Sequence, residues 1–141
     1  MKIKIKKINL EAKLPVYANL GDAGMDFFSV EDLILKPNKL AACATGIAMA
    51  IPEGFVGLIW DKSGIALKKE IKTMGGVIDS SYRGEVKIIL KNLSSQNYEI
   101  KKGDKIAQML IQKFESPDLE EVNDLDETER GEGGFGSTGI R

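Results

Sequence analysis

The sequence contains no histidine and only one cysteine, and these absences remove several kinds of chemistry. Without histidine, the chain has no Ser-His or Cys-His nucleophile, no histidine general base and no histidine metal ligand. A single cysteine excludes an internal disulfide and is typical of a reducing cytosol, so we expect a cytoplasmic protein. Cys43, which lies between two alanines, is predicted to be a small core residue. Any hydrolysis must therefore depend on carboxylates, lysines, tyrosines, hydroxyls or a metal held by oxygen.

The sequence also lacks an excess of either charge and any long apolar run. Its formal net charge is −1, which does not favour nonspecific nucleic-acid binding. No apolar run approaches the roughly 20 residues of a membrane-spanning helix. Residues 1–7 alternate between charged and apolar side chains and lack the core of a signal peptide. We therefore expect neither a nucleic-acid nor a membrane partner.

What the sequence does contain is apolar residues with a period of two, which predicts strands. Turn-forming Gly, Pro, Asn and Asp separate these segments, and there is no long amphipathic helix. The pattern predicts an all-β fold, a jelly-roll-like barrel or sandwich of short strands with a flexible glycine-rich C-terminal arm. The candidate strands are residues 2–6, 26–30, 33–36, 39–49, 54–60, 83–92 and 106–114.

The composition changes at Glu115, where a segment of eight acids and no base begins. We expect one domain with a β-barrel core at 1–114, an acidic spacer at 115–129 and a lid at 130–141. Fully extended, the spacer could span about 50 Å at about 3.3 Å per residue, so the lid could reach a neighbouring subunit. Its apolar residues, Leu119, Val122 and Leu125, fit either a short helix or a solvated strand.

The lid, residues 130–141, holds five of the fifteen glycines, together with Arg130, Phe135, Ser137 and Thr138. Backbone N–H groups of a glycine-rich turn bind anions, and an arginine fork suits phosphate oxygens. The segment could be a flap that closes over a flat, phosphorylated ligand. Composition alone favours the alternative, a disordered chain end.

Residues 73–85 form a second candidate site. A glycine-containing hairpin from Thr73 to Asp79 could offer backbone groups to the edge of a base. Partial burial of Asp79 after a Val-Ile run could make it a general base. The structural alternative makes Asp79 a turn residue, Tyr82 a packed ring, and Arg83 and Glu85 a surface pair.

Three weaker candidates also have structural alternatives. Residues 61–64, Asp-Lys-Ser-Gly, suit a phosphate contact or an ordinary turn after a strand. Gln108 could donate to a phosphate or pair with buried backbone. Asp26 could hold magnesium through water or be a turn or edge-strand acid.

Taken in order, these stretches resemble the five motifs of the trimeric dUTPase family. The resemblance covers residue 23 to the end, and five motifs in order are far more specific than any one of them. The matching segments are 23–26, 62–66, 76–85, 103–108 and 130–139.

The resemblance implies a homotrimer whose sites are shared between subunits and whose Mg²⁺-dependent activity hydrolyses dUTP to dUMP and pyrophosphate. This activity keeps uracil out of DNA and supplies dUMP for dTMP synthesis. By resemblance, Asp79 orients and deprotonates the attacking water, and Asp26 holds Mg²⁺ through water. The phosphates are held by Lys62, Ser63, Gly64, Gln108, Arg130, Gly134, Gly136, Ser137 and Thr138. The uracil and deoxyribose are bound by Thr73, Gly76, Val77, Ile78, Tyr82, Lys87 and Phe135.

Some residues depart from the family pattern, and other functions remain open at this stage. Asp61 and Lys62 stand where Pro and Arg are usual, and lysine lacks the bidentate fork of arginine. Ser81 replaces a frequent Asp, from which we expect a local effect. One alternative is the related dCTP deaminase, which lacks the Phe-containing glycine tail. Another is a non-catalytic nucleotide- or protein-binding trimer, against which the retained Asp79 argues.

Overall fold

The computed structural model describes residues 1–134, which form twelve short strands and one short helix. The strands are β1 (Lys4–Lys7), β2 (Val16–Tyr17), β3 (Gly24–Phe28), β4 (Leu33–Leu35), β5 (Leu40–Cys43), β6 (Ile47–Ala50), β7 (Phe55–Trp60), β8 (Ile71–Met74), β9 (Val77–Ile78), β10 (Ile88–Asn92), β11 (Tyr98–Ile100) and β12 (Lys105–Lys113). The helix is α1 (Ser63–Lys69), which follows β7. This one described helix has too few residues to cross a membrane.

The strands pair antiparallel in four sheets. The largest has the order β2-β3-β12-β7-β9, and a three-stranded sheet has the order β5-β10-β8. Two strand pairs, β1-β6 and β11-β4, complete the set in the described residues. This architecture confirms the predicted all-β, jelly-roll-like fold.

The core lies where the period-two pattern predicted buried faces. Val86, Ile88 and Leu90 are all buried on one face of the segment leading into and along β10. On β3, Met25 and Phe27 are buried as well. Cys43 is fully buried, which confirms its predicted core role, and burial raises the pKa of its thiol to about 11.

Two long candidate strands are shorter in the structure. Residues 39–49 divide into β5 and β6, because Gly46 adopts a φ of +66° and the Thr45 hydroxyl donates to the Val86 carbonyl at 2.6 Å. The strand predicted over 83–92 begins only at Ile88, because the preceding residues form a closed loop.

The helix α1 was not predicted, since its sequence carries few helix signals. Its N-cap, Lys62, makes no side-chain capping bond, and the first turn contains no acid. None of its seven residues is buried in the single chain, so no apolar stripe marks it. It ends at Glu70, which adopts the left-handed conformation with a φ of 55°.

The predicted hairpin over residues 73–79 is instead a corner between two sheets. Strand β8 pairs with β10, whereas β9 pairs with β7, so the two strands flanking the turn belong to different sheets. Gly75 and Gly76 connect them with φ values of +65° and +104°. The hairpin prediction was therefore wrong about the pairing, although it placed the turn correctly.

Beyond β12, residues 114–134 contain neither helix nor strand. The segment therefore forms neither of the two elements considered for it, and Leu119, Val122 and Leu125 are exposed. Residues 135–141, which include Phe135, Gly136, Ser137 and Thr138, lie outside the described part of the chain.

Candidate active site

A cavity of about 280 Å³ opens beside the corner between β8 and β9. Its walls come from the corner itself, from the loop that follows β9 and from β7 and β10. The lining residues are Ile59, Met74, Gly76, Val77, Ile78, Asp79, Tyr82, Lys87, Ile88 and Ile89. The structure thus brings together Asp79 and five of the residues expected to bind uracil and deoxyribose.

Gly76 sets the shape of this cavity because no larger residue fits at its position. A Cβ atom there would lie 2.9 Å from the Ile59 Cβ and 3.1 Å from the Ile59 carbonyl oxygen. The Ile59 N–H donates to the Gly76 carbonyl at 2.8 Å, which fixes the corner against β7. Such close approach of two backbones needs glycine.

Tyr82 is held with its ring partly exposed at the cavity. Its hydroxyl donates to the Glu85 carbonyl at 2.9 Å, and its N–H donates to the Asp79 carbonyl at 3.1 Å. A Cβ on Gly84 would lie 2.4 Å from the Tyr82 hydroxyl, so glycine makes room for the ring. These contacts make a compact loop that places Tyr82 in the cavity wall.

Arg83 and Glu85 do not form the surface pair considered from the sequence. The Arg83 guanidinium donates to the carbonyls of Ser80 and Tyr82, at 2.6 and 2.8 Å. The Glu85 carboxylate accepts the Gly46 N–H at 2.8 Å and lies 3.7 Å from the Lys87 ammonium. Both side chains therefore brace the Tyr82 loop.

Asp79 is exposed in the single chain, so its expected partial burial is not found there. The physical reason is that β9 ends at Ile78, at the rim of the five-stranded sheet, and the chain then turns outward. Its carboxylate is accessible to water at the edge of the cavity.

A second cluster of predicted site residues gathers at the centre of the five-stranded sheet. Asp26 lies on β3, opposite Gln108 on β12, and Gln108 in turn lies opposite Trp60 on β7. Asp26 is only 3 % exposed and sits on an inner strand, which excludes the edge-strand alternative.

Two lysines neutralise this buried carboxylate. Lys62 donates to Asp26 Oδ1, and the Lys105 ammonium lies 2.7 Å from Oδ2. Oδ2 is therefore buried but paired with a positive charge. Burial would raise the pKa of Asp26, but the hydrogen bonds and positive charges of Lys105 and Lys62 outweigh it and lower that pKa.

Ser63 and Gly64 are the first two residues of α1 and are exposed. The first N–H groups of a helix have no acceptor within the helix, which suits them to an anion. They directly follow Lys62, whose ammonium contacts Asp26, so the second predicted motif adjoins the first.

Gln108 makes the backbone contact that the sequence offered as the alternative to phosphate binding. Its Nε2 donates to the Asp61 carbonyl at 2.8 Å. A Cβ on Gly24 would lie 2.3 Å from the Gln108 Oε1, so Gly24 leaves room for this amide. An amide nitrogen has two N–H groups, so this bond does not use all of its donors.

The remaining predicted residues do not line the cavity that holds Asp79. Thr73 is buried beside Asp61 and does not line the cavity. Arg130 donates from Nε to the Gly133 carbonyl at 2.7 Å, and Gly134 is half-buried. Lys62, Ser63 and Gln108 do not line the cavity that holds Asp79. The cavity with Asp79 and the cluster of Asp26, Lys62 and Gln108 are called the two half-sites below.

The sequence analysis missed one residue at these half-sites, Lys105. A buried carboxylate on an inner strand requires a charged partner, and Lys105 lies three residues before Gln108. This requirement was the available signal, but it becomes visible only once Asp26 is known to be buried. Asp61 was included in the candidate segment 61–64, but its contacts with Thr73 and Gln108 were not predicted.

Comparisons with known proteins agree with this geometry. The family model described as dUTPase matches residues 10–139. The chain is 48% identical over 141 residues to the deoxyuridine 5'-triphosphate nucleotidohydrolase of Clostridium kluyveri, covering 99% of each chain.

Solved structures are similar as well. A variant of the Staphylococcus bacteriophage 80alpha dUTPase with dUpNHpp has a TM-score of 0.93 and 31% identity, covering 99% of each chain. A variant dUTPase from phage phi11 of S. aureus, described with a structural Mg(II) ion, has a TM-score of 0.82 and 29% identity. That match covers 88% of this chain and 98% of the phage chain. With matching motifs, fold and family model, this chain belongs to the dUTPase family.

Proposed function

We propose that the protein hydrolyses dUTP to dUMP and pyrophosphate. The observation that carries the proposal is the cavity in which the Gly76 corner, the Tyr82 ring and Asp79 meet. Family membership supports the same activity, since the Clostridium kluyveri relative is named for it over its full length.

On the base side, the corner would recognise uracil through backbone groups. Gly76 and Val77 line the cavity and would offer main-chain groups to the base, while Ile59 and Ile78 provide apolar surface. A site built to pair with the uracil edge leaves polar groups unpaired when cytosine enters, and this rejects near-analogues strongly. Tyr82 would pack under the deoxyribose and exclude a ribose 2′-hydroxyl, with Lys87 at the opposite side.

The chemical step would be an attack of water on the α-phosphorus. The Asp79 carboxylate takes a proton from the water while the water oxygen bonds to the α-phosphorus. The bond from that phosphorus to the α,β-bridging oxygen breaks. Pyrophosphate leaves with that electron pair. This chemistry depends mainly on positioning and charge neutralisation, which agrees with a site that contains no histidine.

The phosphate chain would lie on the second half-site. Lys62 supplies positive charge, Ser63 and Gly64 supply donors, and Gln108 supplies the N–H group that Asp61 does not occupy. Arg130, Gly134, Gly136, Ser137 and Thr138 of the lid would close on the β- and γ-phosphates, and Phe135 would stack on uracil.

We also propose Mg²⁺ as the cofactor. The residues fit it in one respect: Asp26 is a carboxylate kept ionised, and it contacts Lys62, which directly precedes Ser63 and Gly64 of the proposed phosphate-binding segment. Mg²⁺ commonly uses one or two carboxylates with waters and substrate phosphates, so Asp26 would hold it through water. When bound, the ion would neutralise triphosphate charge. Lys62 and Lys105 keep Asp26 ionised and oriented.

We further propose a homotrimer with shared sites in the cytoplasm. Support for sharing is that the cavity holding Asp79 is not lined by Lys62, Ser63 or Gln108 of the same chain. The predicted reach of the spacer would let a third chain supply the lid. The buried, single Cys43 agrees with a reducing compartment.

A substrate panel with pyrophosphate detection tests the activity. The protein should release pyrophosphate from dUTP with Mg²⁺, while dCTP, dTTP and UTP should be poor substrates. Chelation with EDTA should reduce the rate. Absence of pyrophosphate from dUTP would refute the proposal, and deoxyuridine nucleotides formed from dCTP would favour a deaminase.

A further inference from the structure

Asp61 lies at the point where three segments of the predicted site meet. Its carboxylate contacts Thr73 and Lys72 of β8, its carbonyl contacts Gln108 of β12, and it directly precedes Lys62. We propose that Asp61 is a positioning residue that fixes the phosphate-binding segment and the base-binding corner of its own chain relative to each other, and thereby sets the geometry of the two shared sites to which these segments would belong. The inference rests on the proposed function, since it assigns these segments to dUTP.

The link to the corner is a pair of short hydrogen bonds to one residue. Asp61 Oδ1 accepts the Thr73 N–H at 2.6 Å and the Thr73 hydroxyl at 2.7 Å. Thr73 is 8 % exposed, so removal of the acceptor leaves two buried donors that need a new partner. Thr73 lies two residues before Gly75, so a shift of β8 moves the corner.

The link to the phosphate side runs through the main chain. The Asp61 carbonyl accepts the Gln108 amide at 2.8 Å, which orients the Gln108 side chain. The next residue, Lys62, contacts Asp26 and occupies the N-cap position of α1, so a rotation at Asp61 displaces the start of the helix. One residue therefore holds both half-sites of the chain.

The ion pair with Lys72 is not the essential contact. Lys72 Nζ lies 2.5 Å from Asp61 Oδ2, but the Lys72 side chain is 52 % exposed. Exposed ion pairs contribute little, whereas buried donors left unpaired are costly. The role therefore depends on the accepting oxygen more than on the charge, and asparagine can retain that oxygen.

The experiment compares Asp61→Ala with Asp61→Asn, using Lys72→Ala as the matched control. Misplacement of reacting groups by about 1 Å can cost about 100-fold. We expect Asp61→Ala to lower kcat/KM for dUTP about 10- to 100-fold, chiefly through KM, and to reduce the preference for dUTP over dCTP. Asp61→Asn and Lys72→Ala should stay within about threefold of the wild type.

The outcomes separate positioning from a purely structural role. An Asp61→Ala protein with a lower unfolding midpoint but unchanged KM and base preference would overturn the inference, as would equal losses in Asp61→Ala and Asp61→Asn.

If Asp61→Ala does not fold, Thr73→Val removes only the hydroxyl bond and should show a smaller loss of the same kind; no loss would overturn the inference. An inactive wild type would refute the proposed function as well, whereas an active wild type beside an unaffected Asp61→Ala would refute this inference alone.

Discussion

Replacing Gly76 by alanine should destabilise the corner that forms the base-binding cavity. A non-glycine residue at a φ of +104° carries backbone strain of about 1–3 kcal/mol. The added Cβ would also meet Ile59 at 2.9 Å, and such overpacking costs about 1–3 kcal/mol more. We therefore expect Gly76→Ala to lower the free energy of unfolding by about 2–6 kcal/mol.

Gly21→Ala is the matched control for this variant. Gly21 adopts a similar φ of +90°, but a Cβ there would have nothing within 4 Å. Its cost should therefore be the backbone strain alone, about 1–3 kcal/mol. Urea unfolding at equal chain concentration measures both variants, because association makes stability depend on concentration.

The effect on KM should also be larger for Gly76→Ala than for Gly21→Ala. Gly76→Ala should raise KM for dUTP, whereas Gly21→Ala should leave KM unchanged, since Gly21 does not line the cavity. Equal unfolding free energies for the two variants, or an unchanged KM in Gly76→Ala, would refute the argument from crowding at Ile59.

Three further outcomes are expected. Asp79→Asn should still bind dUTP but lose about 10²- to 10⁴-fold in kcat, measured by single-turnover kinetics; an unchanged kcat would remove Asp79 from the base role. Because the pKa of Asp26 is lowered in the fold, ionised Asp26 stabilises the fold fully at pH values above the ordinary aspartate pKa. This stabilisation is lost as the pH falls through the lowered pKa of the folded state. The stability advantage of the wild type over Asp26→Asn should therefore shrink below about pH 4 in urea titrations, and a constant difference would contradict this. Cys43, with its pKa raised to about 11, should not react with a thiol reagent at pH 8 until the protein is unfolded; rapid reaction of the native protein would show that the core is open there.

The fold was predictable where side-chain alternation reflected burial. The alternation of Val86, Ile88 and Leu90 predicted a buried face because each points to the same side of the chain. The helix α1 was not predictable in this way, since it buries no residue in the single chain and lacks a capping side chain. The corner at Gly75 and Gly76 was recognised as a turn, but pairing of β8 and β9 with different partners is a long-range property.

The roles of the candidate site residues stay predictions, and their arrangement in the fold could not be predicted from the sequence. Motif order placed Asp26, Lys62 and Gln108 in one list with Asp79, whereas the structure separates Asp79 from the other three. The sequence gives no sign that Lys105 neutralises Asp26, because that contact depends on register within the β3–β12 pair. The roles of Phe135, Gly136, Ser137 and Thr138 stay predictions, as these residues lie outside the described chain.

Complementation between two inactive variants tests most directly whether two chains build one dUTP-hydrolysing site. Asp79→Asn removes the proposed base from one half-site, and Ser63→Ala combined with Lys62→Ala disables the other. If sites form between neighbouring chains of a symmetric trimer, an equal mixture unfolded and refolded together should recover about a quarter of wild-type pyrophosphate release. Activity no greater than that of the separately refolded parents would contradict the account.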